Sequence, residues 1–273
     1  MDAHLQRRVQ RYGWNKASAG YEIGWREQLL PAQSRMIELA ALRPGDAVLD
    51  VACGTGLVSF QALAVVGPSG RVVGTDISEG MIEQARAAAA ARGLSNASFL
   101  RMDAEALEFE DGRFDSALCA LGLMYVPDPE RAVCKLYRVV RPGGCAAVAV
   151  WGQRDRCGWA EIFPIIDSRV ASDVCPMFFR LGTGDAMNQA FVQAGFTRVV
   201  VERIETRLHY ASAEAACDAA FVGGPVALAY TRFNDASKRA ARVEYLTSIE
   251  PFRDQSRYSI RGEFVVACGW RPD

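Results

Sequence analysis

The 273-residue chain carries almost no net charge, with 31 Lys and Arg against 32 Asp and Glu and a formal balance of -1. No global field is available to hold a polyanion, so nucleic acid is excluded as an expected main partner. Histidine is nearly absent: His4 and His209 are the whole complement. No grouping of His with carboxylates has the spacing of a metal site, and a metal-free protein is expected. No CxxC pair occurs among the cysteines at 53, 119, 134, 145, 157, 175, 217 and 268, most of which sit in apolar runs such as CAAVAVW. Such thiols serve as small core hydrophobes in a reducing compartment. No apolar stretch approaches the ~18 residues of a membrane span, and MDAHLQRRVQRYGW lacks the apolar centre of a signal peptide. A cytoplasmic protein with no membrane span is expected. Tandem repeats are missing, and low complexity is confined to Ala87–Ala91.

What is present is 50% apolar and 23% charged, a globular composition with enough apolar surface for a sizeable core. The length suits one elaborated domain over residues 1–273. AVLDV at 47–51 is a short apolar run between the turn signals Arg43-Pro44-Gly45-Asp46 and Cys53-Gly54-Thr55-Gly56, which predicts a buried strand followed by a helix over 57–66. RVVGTD at 71–76 predicts a second strand. Ser78 can cap the next helix, whose Met81, Ile82, Ala85 and Ala89 fall at helical spacing before Gly93. Strands three and four are expected at 97–102 and 114–119. A strongly amphipathic helix then starts at Asp128-Pro129 and ends at Pro142-Gly143-Gly144, leading into strand five at 145–151. Alternating strands and helices predict a doubly wound, mostly parallel α/β sheet.

Beyond Trp151 the rhythm changes. Residues 152–183 read as irregular, 185–194 as a helix closed by Gly195, 198–204 as strand six and 263–270 as strand seven. The fifty residues between the last two hold FVGGPVALAY and an amphipathic helix near 235–249, too much for a simple connection. Segments 1–42, 152–183 and 207–257 are expected to cap the carboxyl edge of the sheet as lid helices and two substrate-cap insertions, around a core at 43–151 and a last strand within 258–273.

In VLDVACGTG a strand runs into a glycine loop and then a helix whose free N–H groups face a ligand. Twenty residues past Gly56, Asp76 ends strand two, where a carboxylate can accept from both ribose hydroxyls of a nucleoside. A dinucleotide fingerprint would have a third glycine where Ser59 stands, and a pyrophosphate would avoid the acid Asp50. A ligand carrying a cation would favour it. An NAD-dependent oxidoreductase is therefore the second reading.

In order along the chain, VLDVACGTG, VVGTDISEGM, MDAEAL, FDSALCALGLMYVPD and RVVRPGG resemble the motifs of class I S-adenosylmethionine (SAM) dependent methyltransferases over residues 45–151. GLMYVPDPERAV and the GPVALAY and GEFVVA segments are most similar to the ubiquinone/menaquinone-biosynthesis methyltransferase branch. The resemblance implies a seven-stranded Rossmann-like methyltransferase fold with helical cap insertions, with SAM as cofactor and S-adenosylhomocysteine as product. It implies that Ala52, Gly54 and Gly56 approach the methionine moiety, with Asp50 near its ammonium and Tyr21 near its carboxylate. Asp76 would bind the ribose, Ile77 and Met81 would flank the adenine, Asp103 and the Ala104 N–H would meet its edge, and Cys119 would lie beside the methyl donor. Met81, Asp103 and Tyr21 have equally ordinary structural readings as core, loop and packing residues.

Methyl transfer to an O, C or N atom needs positioning more than a covalent residue, but a phenol or amine acceptor also needs to lose a proton. Tyr125 and His209 are the candidate catalytic side chains. Against His209 stands strand alternation, which groups it with Arg203, Glu205 and Arg207 on a polar face. Tyr12, Trp14, Tyr21 and Trp25, with Phe178, Phe179, Phe221 and Tyr230, predict an apolar chamber for a small aromatic or quinone-like substrate. A SAM-binding module without catalysis is the third reading.

Overall fold

The computed structural model describes residues 2–170 and 175–273; positions 171–174 of the first insertion lie outside the described residues. Two helices, α1 (Ala3–Ala17) and α2 (Tyr21–Ala40), precede a sheet region of β1 (Ala47–Val51), α3 (Leu57–Val66), β2 (Arg71–Asp76), α4 (Glu79–Ala91), β3 (Ala97–Arg101), β4 (Phe114–Ala120), α5 (Pro129–Val139) and β5 (Val140–Trp151). There follow α6 (Ile162–Asp167), α7 (Ala186–Ala194), β6 (Thr197–Tyr210), α8 (Ala213–Phe221), α9 (Ala227–Tyr230), α10 (Asp235–Ile249), β7 (Arg253–Asp254) and β8 (Arg257–Trp270).

Local chemistry sets the boundaries. All five residues of β1 are buried, as a strand covered on both faces requires. Ser78 Oγ accepts from the Met81 N–H and Asp128 Oδ1 from the Arg131 N–H, each satisfying a free donor at a helix start. Ala132, Val133, Leu136 and Val139 form the buried stripe of α5. The sheet runs β3-β2-β1-β4-β5-β8-β6, with the short β7 added beside β8. β1 to β5 pair in parallel, and β8 enters antiparallel between β5 and β6. The order reverses at β1 and β4, which puts a crevice at their carboxyl ends.

Several expected boundaries shift. Pro142-Gly143-Gly144 does not separate helix from strand: α5 stops at Val139, Val140 already pairs with Phe114, and the ladder slips register before Cys145 meets Ser116. The Pro and glycines are carried as an irregularity within β5. Strand six continues to Tyr210 and strand seven begins at Arg257, because the two pair without interruption from Val200–Cys268 to Tyr210–Tyr258. The late insertion accordingly starts after Tyr210 rather than at 207. The first insertion is not wholly irregular, since it folds α6 with Ile162, Phe163, Ile165 and Ile166 buried. α2 packs against β5, β8 and β4, covering one face of the sheet.

Candidate active site

The ends of β1 and β4 are held in tight backbone geometry. Ala52 (φ 54°) and Leu121 (φ 58°) both adopt left-handed conformations that non-glycine residues rarely take. Each costs on the order of 1 kcal/mol, and such residues gather at functional sites. They stand where the two segments leave the sheet and pass close to each other. Gly122 completes the turn, for a Cβ there would sit 2.3 Å from Ala52 Cβ. Gly56 (φ 91°) starts α3 from the left-handed region that glycine tolerates.

Asp76 is what ties the loop down. Its Oδ2 accepts from the Gly54 N–H at 2.9 Å and its Oδ1 from the Ser78 N–H at 2.9 Å. Burial raises its carboxyl to about 6, against the opposing pull of the N–H groups of Ser78, Gly54 and Ile77. Asp50 lies behind the loop, 1% exposed. Ser59 Oγ donates to its Oδ2 at 2.6 Å, while its Oδ1 is enclosed and has no partner. Burial pushes the Asp50 carboxyl up to about 7; the Ser59 hydrogen bond opposes this and the Asp76 charge adds to it. Two buried acids with an open acceptor make a site that lacks a positive charge.

A cavity of about 1190 Å³, counting its open mouth, joins this loop to the cap. Tyr21, Ala52, Gly54, Asp76, Ile77, Met81, Asp103 and Ala104, all expected at the cofactor, line it. Gly56, Asp50 and Cys119 do not reach its wall. Gly56 works as the helix-starting hinge and Asp50 acts from behind, while Cys119 is wholly buried beneath the β4 turn. Tyr21 lies over the loop, since a Cβ on Gly54 would be 3.9 Å from its ring. Burial, then the charge of Asp76, raises the Tyr21 hydroxyl pKa, so the phenol stays neutral.

α1 closes over one side of the cavity through polar clasps that sequence reasoning missed. Arg7 Nε lies 3.0 Å from Asp103 Oδ2 and Arg7 Nη2 2.8 Å from Glu105 Oε2. Asn15 Oδ1 accepts from Ser78 Oγ at 2.6 Å and from the Gly80 N–H at 3.1 Å. Arg7 and Asn15 stand among many polar residues of α1 with nothing in the sequence to single them out, which is why neither was legible beforehand. Trp14 meets Tyr21 and Tyr125 edge-on, with centroids at 5.8 and 5.0 Å.

The remaining wall is aromatic. Trp25, Trp151, Trp159, Phe178 and Tyr125 line it, with Trp151 and Trp159 4.9 Å apart and Tyr125 and Phe178 5.5 Å apart. Tyr12 points outward, half exposed at 51%. Phe221 and Tyr230 stack on each other in the cap behind the wall, and Phe179 packs against Phe178 and Phe163. These three were expected in the chamber and instead support it.

Of the two candidate catalytic residues, the cleft holds one. Tyr125 lines it, and burial holds its hydroxyl in the neutral form. His209 is exposed on the outer face of β6, its backbone N–H and C=O both bonded to the Gln28 side chain. Its neighbours Leu208 and Tyr210 face the cavity instead. The sequence reading named neither, although the alternation that argued against His209 is the signal that could have found them.

Residues 48–144 match the family model described as a methyltransferase domain. That stretch is a methyltransferase domain. Among relatives of the methyltransferase domain, the ubiquinone/menaquinone biosynthesis C-methyltransferase UbiE of Ectopseudomonas mendocina is 41% identical over 109 residues, 40% of this chain and 43% of that protein. The same-named protein of Teredinibacter turnerae is 34% identical over 151 residues, 55% and 59% of the two chains. The chain thus spans about half the length of the curated relatives it matches. The phosphoethanolamine N-methyltransferase 2 of Haemonchus contortus, solved with SAM, superimposes with a TM-score of 0.62 at 16% identity, covering 95% of this chain and 57% of that one. The methyltransferase fold therefore extends through the cap segments that the family model leaves out.

Proposed function

We propose that the protein transfers a methyl group from SAM to a small, neutral, aromatic or quinone-like molecule. The observation that carries this reading is one continuous cleft, with two buried acids behind a glycine loop at one end and an aromatic chamber at the other. SAM supplies a methyl on a cationic sulfur that departs as a neutral thioether. The residues present suit that group. Asp50, buried behind the loop with its Oδ1 unpartnered, would favour the ammonium through its charge from behind the cavity wall. Asp76 keeps lone pairs for the ribose hydroxyls beside its two backbone bonds. Ile77 and Met81 offer apolar contact to a flat base, and Asp103 with the Ala104 N–H offers its edge an acceptor and a donor.

Acceleration then comes from holding the acceptor atom about 3 Å from the methyl and in line. Trp25, Trp151, Trp159 and Phe178 give a flat molecule rigid faces to lie against. Tyr125, kept neutral, hydrogen-bonds and orients; it does not take a proton. Arg7 is the one cation among the described residues lining the cleft, and it is already paired with Asp103 and Glu105. A phosphate or carboxylate on the acceptor would enter without a counter-ion. The C-methyltransferase names of the relatives favour a ring carbon as the acceptor atom.

A melting scan tests the cofactor. SAM or S-adenosylhomocysteine at a hundred times its Kd is expected to stabilise the fold by about 2.7 kcal/mol. A shift with NAD and none with either ligand would overturn the assignment. Radiolabelled methyl transfer to a panel of neutral phenols and quinols, against phosphorylated and carboxylated counterparts, tests the acceptor. Labelling of the charged compounds alone would refute it.

A further inference from the structure

We propose that Tyr210 and Tyr245 form a docking subsite for an uncharged oxygen of the substrate, a carbonyl or hydroxyl, and thereby select the acceptor. The inference rests on the reading of the chamber as a substrate site. It concerns the last residue of β6 and a residue of α10, elements that take no part in the glycine loop.

Both side chains line the cavity although they are almost removed from solvent, at 7% and 2% exposure. A buried phenol ordinarily finds a hydrogen-bond partner. Tyr230, in the same cap, does so: its hydroxyl accepts from Arg242 Nε at 2.9 Å. Among the described residues no hydrogen bond engages the hydroxyl of Tyr210 or Tyr245, and the side-chain bond made to Tyr245, from Ser248 Oγ, ends on its backbone carbonyl. Neither oxygen belongs to the fully enclosed polar atoms left without partners, a set that does include Trp159 Nε1. Each hydroxyl therefore keeps some accessible surface, and the cleft is the cavity that both side chains line.

The two belong together. Burial raises the pKa of both hydroxyls, and the Tyr210 group adds to the effect on Tyr245, so the pair shares one neighbourhood and stays protonated. Their rings are fixed before any ligand arrives. Phe221 meets Tyr245 edge-on at 5.6 Å, and Tyr210 is set by its register opposite Tyr258 in the β6–β8 ladder. Two neutral, preoriented O–H groups in an apolar wall suit a neutral oxygen, which can accept from one and exchange a bond with the other. They offer no charge to balance an anion, and Arg7, the cation of the lining, is spent on two carboxylates. The subsite thus discriminates by oxygenation rather than by shape alone. A site built to bond an oxygen penalises an analogue lacking it, because its own buried groups stay unpaired.

The test uses 1-naphthol and naphthalene as probes of the full-length protein, with binding measured by equilibrium dialysis. Wild-type protein is expected to hold 1-naphthol more tightly than naphthalene. Tyr210→Phe and Tyr245→Phe should each weaken 1-naphthol binding by about two- to tenfold, the net value of one hydrogen bond, and leave naphthalene binding within about twofold. Retained naphthalene binding also reports an intact chamber. Equal losses for both probes, indifference of 1-naphthol to either change, or no preference of the wild type for 1-naphthol would each overturn the subsite. S-adenosylhomocysteine binding is measured alongside. Its failure in the wild type would remove the methyltransferase reading, whereas the comparison of the two probes judges the tyrosines by itself.

Discussion

Asp76 and Asp50 carry the site's electrostatics, and their consequences run in opposite directions for the empty and the filled protein. Both have folded-state values raised by burial, to about 6 and about 7, above the 3.8 of an unstrained aspartate. Between those limits the folded chain binds more protons than the unfolded one. The stability these groups contribute is therefore full below pH about 4 and is lost as pH rises through 6 to 7, on the order of a few kcal/mol. A cationic ligand favours the ionised acids, so SAM affinity should climb over the same window with release of protons. Calorimetry at pH 6 in buffers of different ionisation enthalpy checks this, with buffer-dependent heats as the expected result. Asp76→Ala removes the proposed ribose acceptor and the anchor of Gly54 and Ser78 together. It should cost about 2–3 kcal/mol of SAM binding and lower the melting temperature as well. Wild-type affinity in a folded Asp76→Ala protein would reduce the acid to a turn-former.

At the scale of elements, α1 is the part whose removal the site should feel most. It brings Arg7 to Asp103 and Glu105 and Asn15 to Ser78 and Gly80, and it lays Trp14 against Tyr21 and Tyr125. Deleting residues 1–25 opens the cleft to water, and turnover should fall by a large factor. His209→Ala should fall within about twofold of wild type, because the imidazole lies outside the cleft; a general base would instead cost roughly 10²–10⁴-fold. Steady-state rates of the two variants, each checked for folding and SAM binding, give the order. A silent truncation beside a dead His209→Ala protein would reverse the picture. β6 shows how one element divides its duties: period-two alternation sends Arg203, Glu205, Arg207 and His209 outward and Leu208 and Tyr210 into the chamber.

For the molecule as a whole, the cysteines give a direct check on the packing. Cys134 is exposed, and the other seven are buried as free thiols. One thiol should react rapidly with an alkylating reagent in native protein and eight after denaturation; several fast thiols in the native state would contradict the core described here. Much of that core was readable in advance. Strands β1 to β4 and helices α3, α4 and α10 begin and end within about a residue of the sequence expectation, and α5 starts where its Asp128 cap predicts, because caps, glycines and apolar periods are written locally. The glycine loop, Asp76 and Asp103 were readable for the same reason: each stands at the end of a parallel strand, where one chemistry recurs at one spacing.

What escaped local reading depends on which distant segments meet. Nothing near residue 7 announces a partner at 103 and 105, and nothing near 245 announces that it lines the same cavity as 210; both follow from the lid and the late insertion folding back over one crevice. Phe221 and Tyr230 are as aromatic as Trp151 and Trp159, yet the first two back the wall and the last two form it. Hydrophobicity decides that a side chain is buried and is silent on whether protein or ligand covers it. The half of the site proposed for the cofactor thus lies in short, contiguous stretches of the chain, whereas the half proposed for the substrate was decided by the packing of distant segments over the switch point of the sheet.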